Sequence, residues 1–295
     1  MSDYHLHLHP HHPTPWAPPM GVYPDGYIDR FVETALERGA GEVGFTEHLY
    51  RCFESDSVLG RWWEDDPNPV LADEIEQIVK YERSLSLERY VEVVVDAKDR
   101  GLPVKLGLEV DFQPGTEERV LDLLVPYPFD YLIGSVHWVG AWWPDRKRGL
   151  EEYERLGDRA AYEKYFAAET QLAASGLVDV LAHADFVKRA GKTYHPPVDL
   201  YQAVIDAAVA SGTAVEVSSA GLRQTPQEIY PAPLFLQMFN EAGVPITLAS
   251  DAHRPEDTAW EFDELVGQAR KAGYTEYLQF EKRTRIYVPL PGGRL

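Results

Sequence analysis

Cysteine, basic charge and long apolar runs are what this sequence has least of. Cys52 is the only cysteine, so no intramolecular disulfide forms and no thiolate cluster holds a metal. Lys and Arg number 28 against 48 Asp and Glu, for a formal charge of −20 and a pI near 4.8. Such a surface repels phosphodiester backbones and anionic bilayers, which disfavours a nuclease, a nucleic-acid partner or a membrane partner. A small anionic substrate needs local positive charge to offset that field, and bound metal ions would supply it. No stretch approaches the roughly 20 apolar residues of a bilayer span, and the polar start is no signal segment. The expectation is a cytoplasmic protein. No G-x-S-x-G elbow is present, so Ser135, Ser218 and Ser219 read as loop or packing residues. Internal repeats and low-complexity tracts are also missing.

Histidine, by contrast, is concentrated. Five of the ten histidines lie in DYHLHLHPHH, residues 3–12. An affinity tag is an uninterrupted run in a Gly/Ser linker; here Leu6 and Leu8 alternate with His5, His7 and His9. Side chains alternate across a strand, so the imidazoles share one face while the leucines can enter a core. That arrangement asks for a ligand.

The 295 residues, 44% of them hydrophobic, can bury a substantial core in one or two domains. Strand-like runs alternate with amphipathic helical runs along nearly the whole chain. After the opening run, strands are expected at 42–48, 103–112, 129–137, 178–186, 213–219 and 244–253. Helices are expected from residue 28 to a stop at Gly39, across 71–100, and at 116–124, 159–175, 198–211, 232–242 and 258–272. Seven strands each followed by a helix imply a parallel sheet with crossover helices. With no linker to break the alternation, the expectation is a single domain spanning 1–295, an α/β barrel of TIM-like kind. The proline-rich stretch 10–24 reads as a rigid loop.

The polar residues favour a closed barrel over an open sheet. The first strand ends in His5 and His7, the second in Glu47 and His48, and the third carries Glu109. The fourth ends in His137, the fifth in His183, and the seventh in Asp251 and His253. Strand C-termini meet at one rim of a parallel barrel, where active sites sit. Each residue alone has a plainer use: His137 as a satisfied polar group, Glu109 in an ion pair, Asp251 as a helix N-cap. Gathered at one rim, so many imidazoles are costly without a common partner. Imidazoles and carboxylates suit Zn, Mn or Fe.

DYHLH, TEH, GLEVDF, GSVH, LAHADFVKR and LASDAH, in that order, resemble the polymerase-and-histidinol-phosphatase (PHP) superfamily, and within it the histidinol-phosphatases of HisJ type. VEVSSAGLRQTPQEIYPAPLFL (215–236) and DAHRPEDTAWEFD (251–263) extend the likeness, which runs from residue 3 to about residue 290. The resemblance implies a distorted (β/α)7 barrel with three divalent metal ions. His5, His7, Glu109 and Asp251 would bind the first, and Glu109 would bridge to a second completed by His137 and His183. His48, His253 and one opening-loop histidine would hold the third. The family's loop ligand stands eight residues after the first His, which here is Pro13. His12 is the nearest replacement, His11 the next and His9 the third.

The implied activity is hydrolysis of L-histidinol phosphate, a step of histidine biosynthesis. A hydroxide bridging the first two metals would attack phosphorus in line, and Asp251 or His253 would pass a proton to the leaving alkoxide. Arg223 is the expected phosphate clamp because its fork matches two phosphate oxygens, with Lys188 and Arg189 as second candidates. The long stretch 51–69 exceeds a usual βα loop of about 2–6 residues. Its Trp62 and Trp63 are expected to cover the substrate, with Glu64, Asp65 and Asp66 near an ammonium. Trp142 and Trp143 on a neighbouring loop share that expectation, whereas His195 reads as a plain loop residue. A different small organic phosphate is the main alternative substrate. A metal-dependent amidohydrolase and a non-catalytic PHP module are weaker readings.

Overall fold

The computed structural model describes residues 1–190 and 195–292. β1 (Ser2–Leu6) is buried along its length and is followed, after the proline-rich loop, by α1 (Tyr27–Glu37). α1 buries Tyr27, Ile28, Phe31, Val32 and Ala35 along one stripe at helical spacing, and Gly39 with φ 79° terminates it. β2 (Glu42–Phe45) leads through two short 3₁₀ turns into α2 (Asp56–Leu59), α3 (Pro69–Glu82) and α4 (Leu87–Asp99). β3 (Val104–Leu106), β4 (Glu109–Asp111), α5 (Glu117–Leu124) and β5 (Ile133–Ser135) follow. Next come α6 (Lys147–Leu156), α7 (Asp158–Ala174), β6 (Val180–Leu181), α8 (Val198–Ser211) and β7 (Ala214–Ser218). α9 (Pro233–Glu241), β8 (Ile246–Ala249), α10 (Phe262–Lys271) and a hairpin of β9 (Glu276–Glu281) and β10 (Thr284–Pro289) complete the described chain.

Two parallel sheets, ordered β1-β2-β3 and β4-β5-β6-β7-β8, form the wall. They meet at two seams, through the parallel bridges Leu6–Ala252 and His48–Glu109. This is an α/β arrangement of parallel sheets and outer helices, consistent with a distorted TIM-like barrel. Among the described residues no helix is long and apolar enough to cross a membrane.

Two expectations are corrected and two elements were not foreseen. The helical stretch 71–100 is two helices, because Asn68 and Ser86 each cap a separate start. Between them, the amides of Ser84 and Leu85 donate to the Arg51 carbonyl. The strand expected over 103–112 breaks at Gly107 and Leu108, and its halves join different sheets. A Cβ on Gly107 would meet Tyr131 Cζ at 2.7 Å and Thr46 Cγ2 at 2.8 Å. α6 is an additional helix after the fourth strand. The C-terminal segment is an antiparallel hairpin outside the parallel wall, and its alternation turns Leu278 and Phe280 inward.

That hairpin closes the end of the barrel where the strands begin. Leu278 and Phe280 pack with Tyr4, Tyr131, Ile133, Val180, Ala182 and Ala214. Tyr131 stacks on Tyr4 at 4.8 Å and donates to the Tyr4 carbonyl, and the Phe280 amide donates to Tyr4 Oη. The opposite end is where the histidines gather.

Candidate metal centre

His5 lies on β1 and His7 just beyond it; Glu109 begins β4, and His137, His183 and Asp251 follow β5, β6 and β8 closely. These residues and His48, after β2, are deeply buried apart from Asp251, which is partly open, as is the nearby His253. His183 and Asp251 adopt left-handed backbone, with φ of 29° and 51°, a conformation that costs a residue with a Cβ and persists where surroundings enforce it. Two buried carboxylates hold the backbone at or beside these residues. Glu216 Oε1 accepts from the His183 amide at 2.8 Å. Asp3 accepts from Ser250 N, Ser250 Oγ and the Ala259 amide.

Donor spacing tests whether metal ions fit here. Two ligands about 2.1 Å from one ion at a tetrahedral angle stand about 3.4 Å apart. His5 Nε2 is 3.1 Å from His7 Nε2, 3.4 Å from Glu109 Oε2 and 3.7 Å from Asp251 Oδ1. His7 Nε2 is 3.5 Å from each of the same two oxygens. The other Glu109 oxygen stands 3.5 Å from His137 Nε2 and 3.2 Å from His183 Nε2. Both Glu109 oxygens are buried with no donor among the described residues except these ring nitrogens and His48 Nδ1, 2.8 Å from Oε2. Nε2 of His48 and Nε2 of His253 are buried with no hydrogen-bond partner among them. Unpaired buried polar atoms are expensive, and here they converge at ligand spacing. The residues fit divalent ions. Four groups have donor atoms within 4.8 Å of one another: His5, His7 and Asp251; His5, Glu109 and His183; His48, Asp111 and His137; and His7, His48 and His253.

Electrostatics agree with the spacing. Burial alone would depress the His5 imidazole, but Glu216, Glu109 and Asp251 outweigh it and hold its pKa well above the ordinary value. Burial alone would raise Glu109, yet His48, His5 and His137 hold it well below the usual carboxylate range. Asp251 is depressed likewise, by His5, His7 and His253 against its burial. The carboxylates call for positive charge that a divalent ion provides in place of protons.

Two more carboxylates fix ring orientation. Glu216 Oε2 lies 2.8 Å from His5 Nδ1, and Asp111 Oδ1 lies 2.8 Å from His137 Nδ1. Each occupies one ring nitrogen and leaves Nε2 facing the cluster, the usual carboxylate–histidine support of a metal ligand. Sequence reasoning assigned neither a role. Asp111 was detectable, since it stands two residues after Glu109 and so shares its strand face; Glu216 alternates with Ser218 in the same way.

The other candidates separate. His9 is buried toward Glu47 and Tyr23, away from the cluster. His12 is exposed, while the His11 ring lies 4.7 Å from His253 and 5.3 Å from His48. A cavity of about 340 Å³ opens onto the cluster, with Arg223, Arg189, Trp143 and Phe186 in its wall. Arg223 Nη2 donates to the carbonyls of Ser250 and Asp251, its guanidinium covers Trp260, and Nη1 lacks a partner among the described residues. Arg189 pairs with Asp145. Lys188 is corrected as a phosphate ligand: it is buried against Asp185, Glu228 and the Ile229 carbonyl. Trp62 and Trp63 are corrected as a substrate cover. Trp62 stacks on Trp138 and Trp63 packs edge-on against Trp62, outside the cavity wall. Trp142 is core, leaving Trp143 as the indole at the site. Asp66 accepts from the Ala141 amide, which ties the two loops together. His195 is exposed, as a loop residue.

A parallel barrel with buried histidine–carboxylate groups at its strand C-termini defines a metal-dependent hydrolase. The PHP domain family matches residues 23–220, and the chain belongs to that family. A protein of Deinococcus radiodurans named "Probable histidinol-phosphatase" is 32% identical over 92% of this chain and 94% of its own length. One of the same name from Schizosaccharomyces pombe is 22% identical, over 88% of this chain and 86% of its own. In fold, the chain is similar to the histidinol phosphate phosphatase of Lactococcus lactis, solved with zinc, L-histidinol and phosphate. That match has a TM-score of 0.67 at 20% identity and covers 97% of this chain and 98% of the other.

Proposed function

We propose that this protein, a single domain on a seven-position barrel, hydrolyses a small phosphate monoester, with L-histidinol phosphate the first substrate to test. The observation that carries the reading is Glu109: its two oxygens face two separate sets of imidazole nitrogens at ligand spacing. Glu109 would join His5, His7 and Asp251 around one ion and His137 and His183 around another. His48 and His253 offer donors at a third position. Bound divalent ions would lower the pKa of a water to near neutrality and neutralise phosphoryl oxygens.

Arg223 is the phosphate-binding residue. Two carbonyls and the Trp260 face pin its guanidinium, so little rotamer entropy remains to be lost when Nη1 donates to a phosphoryl oxygen. Arg189, oriented by Asp145, is a second cation at the wall. Trp143 and Phe186 exclude water from the same cavity. Asp251 and His253 are the candidates to pass a proton to the leaving alkoxide. His253 Nδ1 is 3.5 Å from Asp251 Oδ1, and its Nε2 lacks a partner among the described residues.

The names of the Deinococcus and Schizosaccharomyces relatives support histidinol phosphate as the ester, with histidinol as the leaving group. The test is metal analysis of the protein together with phosphate release from a panel of phosphomonoesters after reconstitution with Zn, Mn or Fe. Fewer than two bound ions and no release from any ester would overturn the phosphatase reading. Amide hydrolysis independent of Arg223 would replace it with an amidohydrolase.

A further inference from the structure

The opening loop bears on the third metal position. Arg51, fully buried, lies beneath that loop. Its Nη1 donates to the His9 carbonyl at 3.1 Å, its Nε donates to Glu82 at 3.0 Å, and its Nη2 lies 2.6 Å from His11 Nδ1. A guanidinium has five donors and no acceptor, and stays protonated. His11 Nδ1 therefore has to accept, and a neutral imidazole that accepts at Nδ1 carries its proton on Nε2. Glu82 offers no alternative partner for an Nδ1 proton, because it stands 3.6 Å away with that oxygen engaged by Arg51 and Tyr50 Oη. Turning the ring over would set a carbon against the guanidinium and leave a buried donor unpaired.

A nitrogen that bears a proton offers a metal no lone pair. Consistent with this, the donor group at the third position is His7, His48 and His253, without any residue of the opening loop. His9 is turned to Glu47, and His12 is exposed at the mouth of the same cavity. In this arrangement His11 has no free lone pair to offer as the ligand that the resemblance implies.

We propose that His11, fixed by Arg51, is a hydrogen-bond donor to the phosphate ester and not a metal ligand. His11 lines the cavity that holds Arg223 and the cluster, so its Nε2–H adds a neutral donor on the wall formed by the opening loop. Arg51 is then a positioning residue: it sets which nitrogen of His11 is protonated without touching substrate. The inference rests on the phosphatase reading for its ligand but not for its metal count.

The experiment compares the wild type with His11→Ala, His11→Gln and His12→Ala, each loaded with Zn and desalted. Metal content is read by elemental analysis, and affinity by competitive inhibition with inorganic phosphate. His11→Ala is expected to keep the wild-type number of ions and to weaken phosphate binding about 10-fold or more, the size of one hydrogen bond to a charged group. His11→Gln, which retains an N–H, should recover part of the loss. In the wild type, ¹⁵N imidazole spectra should show Nε2 of His11 protonated with metal bound, and Arg51→Lys should disturb that signal while metal content holds. Loss of one ion in His11→Ala overturns the proposal, as does unchanged phosphate binding. The spectra decide the matter if either His11 variant fails to fold. Failure of the phosphatase reading would look different, since the wild type itself would then release no phosphate.

Discussion

The two ends of the barrel treat buried carboxylates in opposite ways. Where the strands begin, Asp130 accepts from Lys98 Nζ and from the amides of Leu106 and Lys282. Asp179 nearby accepts from the Leu132 amide and pairs with Arg283. Where the strands end, Glu109 is as fully enclosed as Asp130, but its nearest polar neighbours are ring nitrogens, His48 Nδ1 at 2.8 Å and His183 Nε2 at 3.2 Å. One end spends its polar groups on closing the fold, and the other holds them ready for a ligand. Side chains at the two ends should therefore fail in different ways.

The largest expected effect is at Glu109. Glu109→Gln should remove bound metal and lower kcat/KM by about 10³-fold or more, checked by elemental analysis and phosphate release; a strong chelator should do the same to the wild type. Full activity in this variant would erase the contrast. At the other end, Phe280→Ala should cost about 3–5 kcal/mol of stability, read by denaturant melting, while the folded fraction keeps its metal. Arg223→Ala should leave metal content unchanged and cost about 10- to 100-fold in kcat/KM for phosphate esters, the range of a charge-assisted hydrogen bond.

Glu169 sharpens the comparison, because it is a buried carboxylate on α7 outside both ends. Burial, with Asp185 and Glu216 adding to it, pushes this carboxyl well above its usual range despite a hydrogen bond from Tyr165. It is predicted to stay protonated and to bind no ion. A folded-state pKa raised above the unfolded one gives stability that is present below the unfolded pKa and lost as pH rises. Glu169→Gln should therefore raise Tm at pH 8 and converge with the wild type near pH 4, with metal content unchanged throughout. The smallest effect is expected at Trp62. Trp62→Ala should keep KM within about two-fold while lowering stability through its lost stacking on Trp138, and a large rise in KM would restore the tryptophan cover.

Much of the ligand cluster was legible because strand period and parallel topology suffice to place His5, His7, His137, His183 and Asp251 at one rim. Asp111 and Glu216 were missed because a supporting carboxylate has no spacing signature apart from sharing a strand face. Lys188 and the paired tryptophans misled for a related reason: sequence places a residue on a loop, but burial against Asp185 or Trp138 is decided by tertiary packing. The breaks at Gly107 and at Ser84 were hidden as well, since tertiary hydrogen bonds and the bulk of Tyr131 interrupt segments whose local pattern is continuous. The closing hairpin followed the last expected helix without a signal for where it would pack.

The seams between the two sheets have a consequence for folding. One arc of the wall supplies His5, His7 and His48, and the other supplies Glu109, His137, His183, Asp251 and His253. The bridges that close the wall, Leu6–Ala252 and His48–Glu109, are made by these residues or their immediate neighbours. An ion held by both arcs would act as a rivet across an otherwise open joint. Opening the barrel would then require releasing the ion. Resistance to unfolding should grow with free metal concentration, as mass action demands of any ligand that binds only the native state.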